Sequence, residues 1–482
     1  MAFSSKTVIN SMLWKLMERF SSQLVSFVIS IVLARILMPS DYGIIAIILV
    51  FINLANVIID GGLNTALIQK KNADQIDFST IFWFCLLVAG VLYIVLFASA
   101  PLISHFYKND ILTPVLRVLG LSIFFNSFNS IQRAYVSRHM LFRKLFYVNA
   151  VAIFISGIIG IVMAYKGFGV WALVGQQLSS TLLCSILMLF SVRWKPALVF
   201  SMVRFKGLFD YGWKIFLTNF IIAIYGDIRS LVIGKLYQPA ALAFFDRGKS
   251  LPSLLMSNIT ASIDTVLLPT FSEEQDNVVR VKQMMRRSVQ VSYLFVAPIL
   301  VGFFFAAKEI VLLLLTEKWL PAVPFIRIFC IAFFLMPIQN INMTSIKSLG
   351  HSSLTLKLEI LKKSIEAIIL VISFLINVYA VAWGIVLYNA ICIIINLSPS
   401  KRLVNYGLGE QLKDILPTFL AAFIMGGIVY ACGLLPFNNI IILTIQLIIG
   451  ATTYYIVCKA IQLDSLEYVT SYFKKQYISK NE

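Results

Sequence analysis

Charged side chains are scarce in this chain of 482 residues. They make up 13% of it, whereas apolar residues make up 59% and the mean hydropathy is +0.88. Soluble globular proteins carry about 25% charged residues. The composition therefore excludes an ordinary soluble globular protein, and the main solvent of the fold must be a lipid bilayer.

Histidine and cysteine are also rare. The three histidines lie far apart, and the six cysteines are single and mostly in the middle of apolar stretches. Metal sites and redox motifs need such ligands at close, repeated spacing, so we expect no metal. The sequence also lacks a phosphate-binding glycine loop with its lysine, which argues against ATP hydrolysis. We find no catalytic set of residues, and we predict neither a cofactor nor an enzyme.

Long apolar runs fill the chain instead. A hydrocarbon core about 30 Å thick is crossed by about 20 apolar residues, and the sequence contains about fourteen such runs with short connectors. We therefore predict an all-α polytopic membrane protein. The predicted spans are 14–36, 43–66, 78–101, 114–136, 147–165, 171–192, 210–235, 244–269, 288–307, 321–346, 360–380, 382–398, 414–435 and 437–459.

The positive charges predict the orientation of the chain. The net charge is +18, and the basic clusters 133–144, 193–206 and 280–287 share one membrane face if the N-terminus is cytoplasmic. Cytoplasmic loops carry an excess of Lys and Arg, so we place both termini in the cytoplasm. The first span has no small-residue cleavage site and is interpreted as a retained helix. Nucleic-acid binding is excluded, because these charges are dispersed among apolar spans.

Short sequence matches indicate two related halves. Residues 35–39 resemble 235–239, and Trp171 with its neighbours resembles Trp383 with its neighbours. Residues 129–145 resemble 342–358. With about six spans in each half, the repeats would be parallel, which is a transporter architecture. The predicted domains are an N-terminal lobe 1–192, a cytoplasmic linker 193–209, a C-terminal lobe 210–400, two additional transmembrane helices 401–460 and a cytoplasmic tail 461–482.

Polar stripes on several predicted spans indicate a substrate route. A charged side chain inside hydrocarbon costs about 2.5 to 3.5 kcal/mol, so it should face a cavity or a partner. Basic groups around a cleft between the two halves favour an anionic cargo, because Arg holds phosphate oxygens through parallel hydrogen bonds. The predicted substrate-binding residues are Arg229, Lys214, Arg19 and Asn219. The acidic residues that could pair with these bases or carry a coupling cation are Glu18, Asp60, Asp227 and Asp264.

Several segments resemble a known family. The segment 34–43, the sequence Glu18-Arg19-Phe20 with Gln23, the motif 167–173 and the basic segment 133–146 are similar to bacterial polysaccharide transporters. These are Wzx-type flippases of the multidrug/oligosaccharidyl-lipid/polysaccharide exporter superfamily, and the similarity is to the colanic-acid and teichuronic-acid exporter branch.

The resemblance implies a function in the bacterial inner membrane. The protein would move an undecaprenyl-pyrophosphate-linked oligosaccharide between leaflets by alternating access. It would act as a monomer, surrounded by membrane lipids and possibly in contact with polysaccharide assembly proteins. The alternatives are a drug or cation exporter of the same superfamily, a membrane polymerase or ligase of polysaccharide assembly, and a scaffold subunit without transport activity.

Overall fold

Helices joined by short connectors make up the part of the chain that the structure describes. This computed structural model describes the backbone of residues 5–192 and 194–478, and their side chains except those of 5–9, 257–266, 352 and 472–478. Within these ranges there is no β-strand. By contacts between Cα atoms the chain divides into two units, Met1–Ala243 and Phe244–Glu482.

Within its described residues, 5–192 and 194–243, the first unit contains nine helices and the start of a tenth. They are α1 (Ser5–Ile36), α2 (Pro39–Asp60), α3 (Leu63–Gln69), α4 (Gln75–Tyr107), α5 (Leu112–Gly120), α6 (Ser122–Arg138), α7 (Phe142–Tyr165), α8 (Val170–Ser191), α9 (Met202–Leu236) and α10 (Pro239–Glu273). Helix α7 packs against α1 and α8, whereas α2 packs against α6 and α9. Helix α9 therefore belongs to the first unit. The domain boundaries inferred from the repeat stay a prediction.

The second unit contains the rest of α10 and the remaining helices. They are α11 (Val278–Phe305), α12 (Ala307–Leu314), a 3₁₀ helix (Glu317–Ala322), α13 (Val323–Phe334), α14 (Met336–Ser348), α15 (Ser352–Phe374), α16 (Val378–Val404), α17 (Leu408–Gly433), α18 (Asn439–Ala460) and α19 (Asp464–Ile478). Helix α11 packs against α17, and α17 packs against α18. Their shared core includes the buried rings of Tyr293 and Tyr406.

Eleven helical stretches are long and apolar enough to cross a membrane, among the described residues. The predicted spans 114–136, 244–269 and 360–380 are not among them. The stretch 114–136 coincides with α5 and α6, and 360–380 coincides largely with α15. Both stretches are helical, but they carry polar and charged side chains such as Arg133 and Lys362. The side chains of 257–266 in the second lie outside the described residues. The protein is thus an all-helical, multi-span membrane protein.

The predicted linker is bound along the start of α4. The backbone N–H of Ala197 donates to Ser79 Oγ at 3.0 Å, and that of Ser201 donates to Thr80 Oγ1 at 3.2 Å. Trp83 Nε1 donates to the carbonyl oxygen of Ala197 at 2.8 Å. These bonds satisfy backbone groups that a non-helical segment would otherwise leave open. The segment 194–201 is therefore a fixed strap on α4.

Candidate functional site: a polar cavity in the first unit

A polar cavity of about 370 Å³ opens in the first unit on α2, α3 and α6. Its wall contains few apolar side chains, although α2 is strongly apolar. Its polar lining consists of Asn56, Asp60, Asn64, Asn126, Asn129, Ser130, Arg133 and Ser137. Polar groups at such a position need partners, because an unsatisfied polar atom in an apolar environment costs free energy.

A break between α2 and α3 positions one wall of the cavity. Gly61 and Gly62 have φ values of 48° and 68°, in the left-handed region that glycine enters without a steric penalty. Helix α2 therefore ends at Asp60, and α3 starts at Leu63. The break keeps Asp60 and Asn64 close enough for Asn64 Nδ2 to donate to Asp60 Oδ1 at 2.8 Å.

The carboxylate of Asp60 is held from two helices. Besides Asn64, the hydroxyl of Ser130 on α6 donates to Asp60 Oδ1. Arg133, one helical turn after Ser130, lies near enough to attract the carboxylate electrostatically. The lining thus contains one acidic residue, Asp60, and one basic residue, Arg133.

Glu18 belongs to a chain of contacts that reaches the same arginine. Glu18 Oε1 on α1 accepts a hydrogen bond from Asn149 Nδ2 on α7 at 2.6 Å. Asn149 Oδ1 in turn accepts from Cys184 Sγ on α8 at 3.6 Å, and Cys184 also contacts Arg133. Two of the predicted acidic residues, Glu18 and Asp60, are therefore connected through Arg133, although they lie on different helices.

Three asparagine oxygens in the wall lack a hydrogen-bond donor. Asn56 Oδ1, Asn64 Oδ1 and Asn129 Oδ1 are buried, and none has a partner among the described residues. Asn129 is only 3% exposed, and its Nδ2 donates to the carbonyl oxygen of Thr181 at 3.1 Å. That bond fixes the orientation of the amide. The wall therefore holds three enclosed amide oxygens that have no donor among the described residues.

The other predicted residues lie elsewhere in the first unit. Arg19 on α1 and both Lys214 and Asn219 on α9 are exposed, whereas Asp227 and Arg229 on α9 are half-buried. Their roles in substrate binding or charge pairing stay predictions. The side chain of Asp264 lies outside the described residues.

A second, smaller cavity of about 260 Å³ lies between α3 and the start of α9, next to Lys70 and Arg204. Both cations are already paired with the fully buried Asp77, Lys70 at 2.7 Å and Arg204 at 3.3 Å. The backbone N–H of Asp77 donates to Asp74 and holds the pKa of Asp74 below its usual range, with a further contribution from Arg204. These pairings leave little free positive charge for an anion.

The sequence did not single out several of these groups. Asn149 and Cys184 are polar residues in apolar helices, and Ser130 is one of many polar residues on α6. Nothing in their spacing distinguishes them from packing residues. All six cysteines are free and buried. No group of three His, Cys, Asp or Glu residues that could hold a metal ion is found among the described residues.

Known proteins resemble this chain at low sequence identity. The Rhizobium meliloti succinoglycan biosynthesis transport protein ExoT is 25% identical over 67% of this chain and 65% of its own length. The Bacillus subtilis teichuronic acid biosynthesis protein TuaB is 22% identical over 79% of each chain. The Escherichia coli lipopolysaccharide biosynthesis protein WzxC is 21% identical over 64% of this chain and 63% of its own length. The chain thus spans slightly less than two thirds of ExoT and WzxC.

Solved structures share the fold. A lipid II flippase MurJ in an inward closed conformation matches 94% of this chain and all of its own, with a TM-score of 0.74 and 16% identity. An inward-facing multidrug resistance transporter of the MATE family matches 81% of this chain and 98% of its own, with a TM-score of 0.60 and 13% identity. Both of these solved structures are of transport proteins, one a flippase and the other a drug transporter. The chain shares the multi-span fold of these two transporters. Residues 32–324 match the family described as polysaccharide biosynthesis protein, so this chain belongs to that family.

Proposed function

We propose that this protein is a flippase that moves undecaprenyl-pyrophosphate-linked oligosaccharide repeat units across the bacterial inner membrane for surface polysaccharide export. The observation that carries the proposal is the match of residues 32–324 to a polysaccharide biosynthesis family, in a chain with eleven apolar helices. The names of the relatives support it, because they belong to the synthesis of three different polymers. Each of these syntheses requires a step that transports material across the membrane.

The proposed topology has about fourteen spans with both termini in the cytoplasm. Under this orientation the Gly61-Gly62 break and the polar cavity lie toward the cytoplasmic side, where a lipid-linked unit would enter. The three spans beyond the eleven apolar helices would be the more polar ones, which tolerate polar groups because those groups face a cavity or another helix.

The proposed route binds the headgroup at two kinds of site. Arg19, Lys214 and Arg229, with Asn219, would contact the pyrophosphate, because guanidinium and ammonium groups hold phosphate oxygens well where water is scarce. Four acidic residues would pair with these bases or bind a coupling cation: Glu18, Asp60, Asp227 and Asp264. The lipid tail would stay in the bilayer, and alternating access would carry the hydrophilic part across. A monomer in contact with membrane lipids is sufficient for this cycle.

The direct test is to delete the gene and to measure lipid-linked glycans on each leaflet. We expect complete lipid-linked units to accumulate on the cytoplasmic leaflet, and the wild-type gene to restore export. Loss of unit synthesis would instead indicate an enzyme, and unchanged export would contradict the proposal. A drug or cation exporter would leave the glycans unchanged and alter the efflux of cationic dyes.

A variant pair tests the proposed route. Arg229→Ala should reduce export, because it removes a half-buried cation from α9. The matched control is Arg117→Ala on α5, which removes an arginine of similar exposure whose side chain lies 4.1 Å from the Phe97 ring. If both variants export glycan equally well, Arg229 is not part of the route. A scaffold subunit would also give that result with either variant.

A further inference from the structure

A cluster of cations and aromatic rings lies on the seam between α1 and α7, and none of its members lines the polar cavity. We propose that this cluster binds the phosphate headgroup of an anionic phospholipid, phosphatidylglycerol, in the cytoplasmic leaflet. Such a lipid belongs to the surrounding bilayer and differs from the proposed cargo, so the site does not depend on the flippase function.

Helices α1 and α7 lie side by side in the same direction. Asn149 Nδ2 of α7 donates to Glu18 Oε1 of α1 at 2.6 Å. About three turns further along both helices, Ile29 lies against Gly157. The residue numbers therefore rise together, and the start of α7 meets α1 near residue 14. Under the predicted orientation, in which the basic cluster 133–144 is cytoplasmic, this end of the seam lies at the cytoplasmic surface of the membrane.

The seam holds two cations on aromatic rings at that end. Arg143 Cζ lies 5.4 Å from the centre of the Trp14 ring and 5.9 Å from the centre of the Tyr147 ring. Its guanidinium is thus placed over one ring of each helix. Lys15 Nζ of α1 lies 5.2 Å from the centre of the Phe142 ring of α7. Aromatic faces attract cations but do not neutralise them, so the rings position both charges and leave their N–H groups available.

Both cations are exposed, and neither has a carboxylate partner among the described residues. The nearest acidic residue along α1 is Glu18, and its Oε1 accepts the hydrogen bond from Asn149. Residues 5–9, whose side chains lie outside the described ones, contain no Asp or Glu. Lys15 and Arg143 therefore provide two neighbouring positive charges that an anion from outside the chain can pair with.

The surface beyond Arg143 favours a lipid over a soluble anion. Positions 143, 147, 151 and 154 lie on one face of α7, because they are three or four residues apart. The side chains of Tyr147, Val151 and Phe154 are 50%, 43% and 60% exposed. A guanidinium, a tyrosine and two apolar side chains thus follow one another, in the order of a headgroup, the interfacial region and an acyl chain. A soluble phosphate would make no use of the apolar part.

The test measures lipid binding to the purified full chain in a neutral detergent. The probes are phosphatidylglycerol and zwitterionic phosphatidylcholine with identical acyl chains, and native mass spectrometry gives the dissociation constant of the tightest-bound lipid. We expect the wild-type protein to prefer phosphatidylglycerol. Arg143→Gln and, separately, Lys15→Gln should each weaken its binding about 5-fold, which corresponds to the ~1 kcal/mol contributed by one Lys or Arg near an anionic membrane surface. Binding of phosphatidylcholine should not change.

Arg117→Gln is the matched control. The guanidinium of Arg117 also lies over an aromatic ring, 4.1 Å from the centre of Phe97, but its Nε donates to the carbonyl oxygen of Phe97 at 3.3 Å. The variant removes the same charge from α5, so it should leave the binding of phosphatidylglycerol unchanged. Lys15→Gln keeps the test valid if Arg143→Gln does not fold, because Lys15 is an exposed side chain on another helix.

The proposal is overturned if the wild-type protein binds both phospholipids equally, if neither variant weakens the binding of phosphatidylglycerol, or if Arg117→Gln weakens it as much. Bare undecaprenyl pyrophosphate is a third probe. If Arg143→Gln and Lys15→Gln weaken its binding as strongly as that of phosphatidylglycerol, or more, the cluster is a site for the transported lipid and the phospholipid assignment fails. Failure of the flippase function would appear in the leaflet measurement of lipid-linked glycans and would leave the preference for phosphatidylglycerol unchanged.

Discussion

Gly43 provides a sensitive test of the packing in the first unit. A Cβ atom on Gly43 of α2 would lie 1.8 Å from the carbonyl oxygen of Pro239 and 2.3 Å from its carbonyl carbon, at the start of α10. Ordinary van der Waals contacts of a Cβ begin at 3.4 Å. The atoms in the way belong to the backbone and cannot rotate aside, so the two helices would have to separate by about 1.5 Å, which is overpacking.

The expected magnitude follows from two opposing effects. Overpacking of a well-packed contact destabilises by about 1 to 3 kcal/mol. Replacement of a glycine within a helix by alanine stabilises by up to about 1 kcal/mol. We therefore expect Gly43→Ala to lower the free energy of unfolding by about 1 to 2 kcal/mol.

Gly90→Ala is the matched control, because Gly90 lies within α4 and a Cβ there meets no atom within 4 Å. Only the gain in helix propensity acts on it, so it should be neutral or stabilising. The assay is thermal unfolding of both purified variants in the same detergent micelles. Equal unfolding midpoints for the two variants would refute the close contact between α2 and the start of α10.

Three carboxylates give further predictions. Asp77→Asn leaves Lys70 and Arg204 without their charged, buried partner. It should lower the free energy of unfolding by about 2 to 3 kcal/mol and speed proteolysis within the strap 194–201. Unchanged cleavage would contradict a role of Asp77 in holding the strap. Asp74→Asn keeps a good helix N-cap but removes the charge. The pKa of Asp74 is lowered in the folded protein, so the ionised side chain stabilises the fold above its ordinary pKa of about 3.9. That stabilisation is lost as pH falls through the folded pKa. In thermal unfolding, the variant should therefore be less stable than the wild type at pH 7, and the difference in stability should shrink on acidification. Asp414 accepts from the guanidinium of Arg286 on α11 at 2.7 and 2.8 Å. Asp414→Asn weakens these bonds, so it should lower the unfolding midpoint in detergent. An unchanged midpoint would show that the ion pair contributes little.

The polar residues show how far sequence periodicity reaches. The four-residue spacing of Asn56, Asp60 and Asn64 is typical of one polar face of a helix, and the structure places all three on one cavity. The same reasoning could not identify the roles of Ser130 and Asn149, because the partner of each lies on a helix distant in sequence. Periodicity describes one helix at a time, whereas a site is made by several.

The amino-acid sequence by itself determined that this protein is helical and spans a membrane, because hydropathy and helical periodicity are local properties of consecutive residues. It also indicated the family through short motifs. Only the tertiary structure decided that the amide oxygen of Asn129 has no donor among the described residues, whereas Asn342 is paired with Gln411 on α17. It also decided that Gly43 lies against the backbone of Pro239. These outcomes depend on which distant helices come into contact, and on the distances between individual atoms there. Composition and spacing do not contain those distances, since similar apolar helices can pack against one another in many ways.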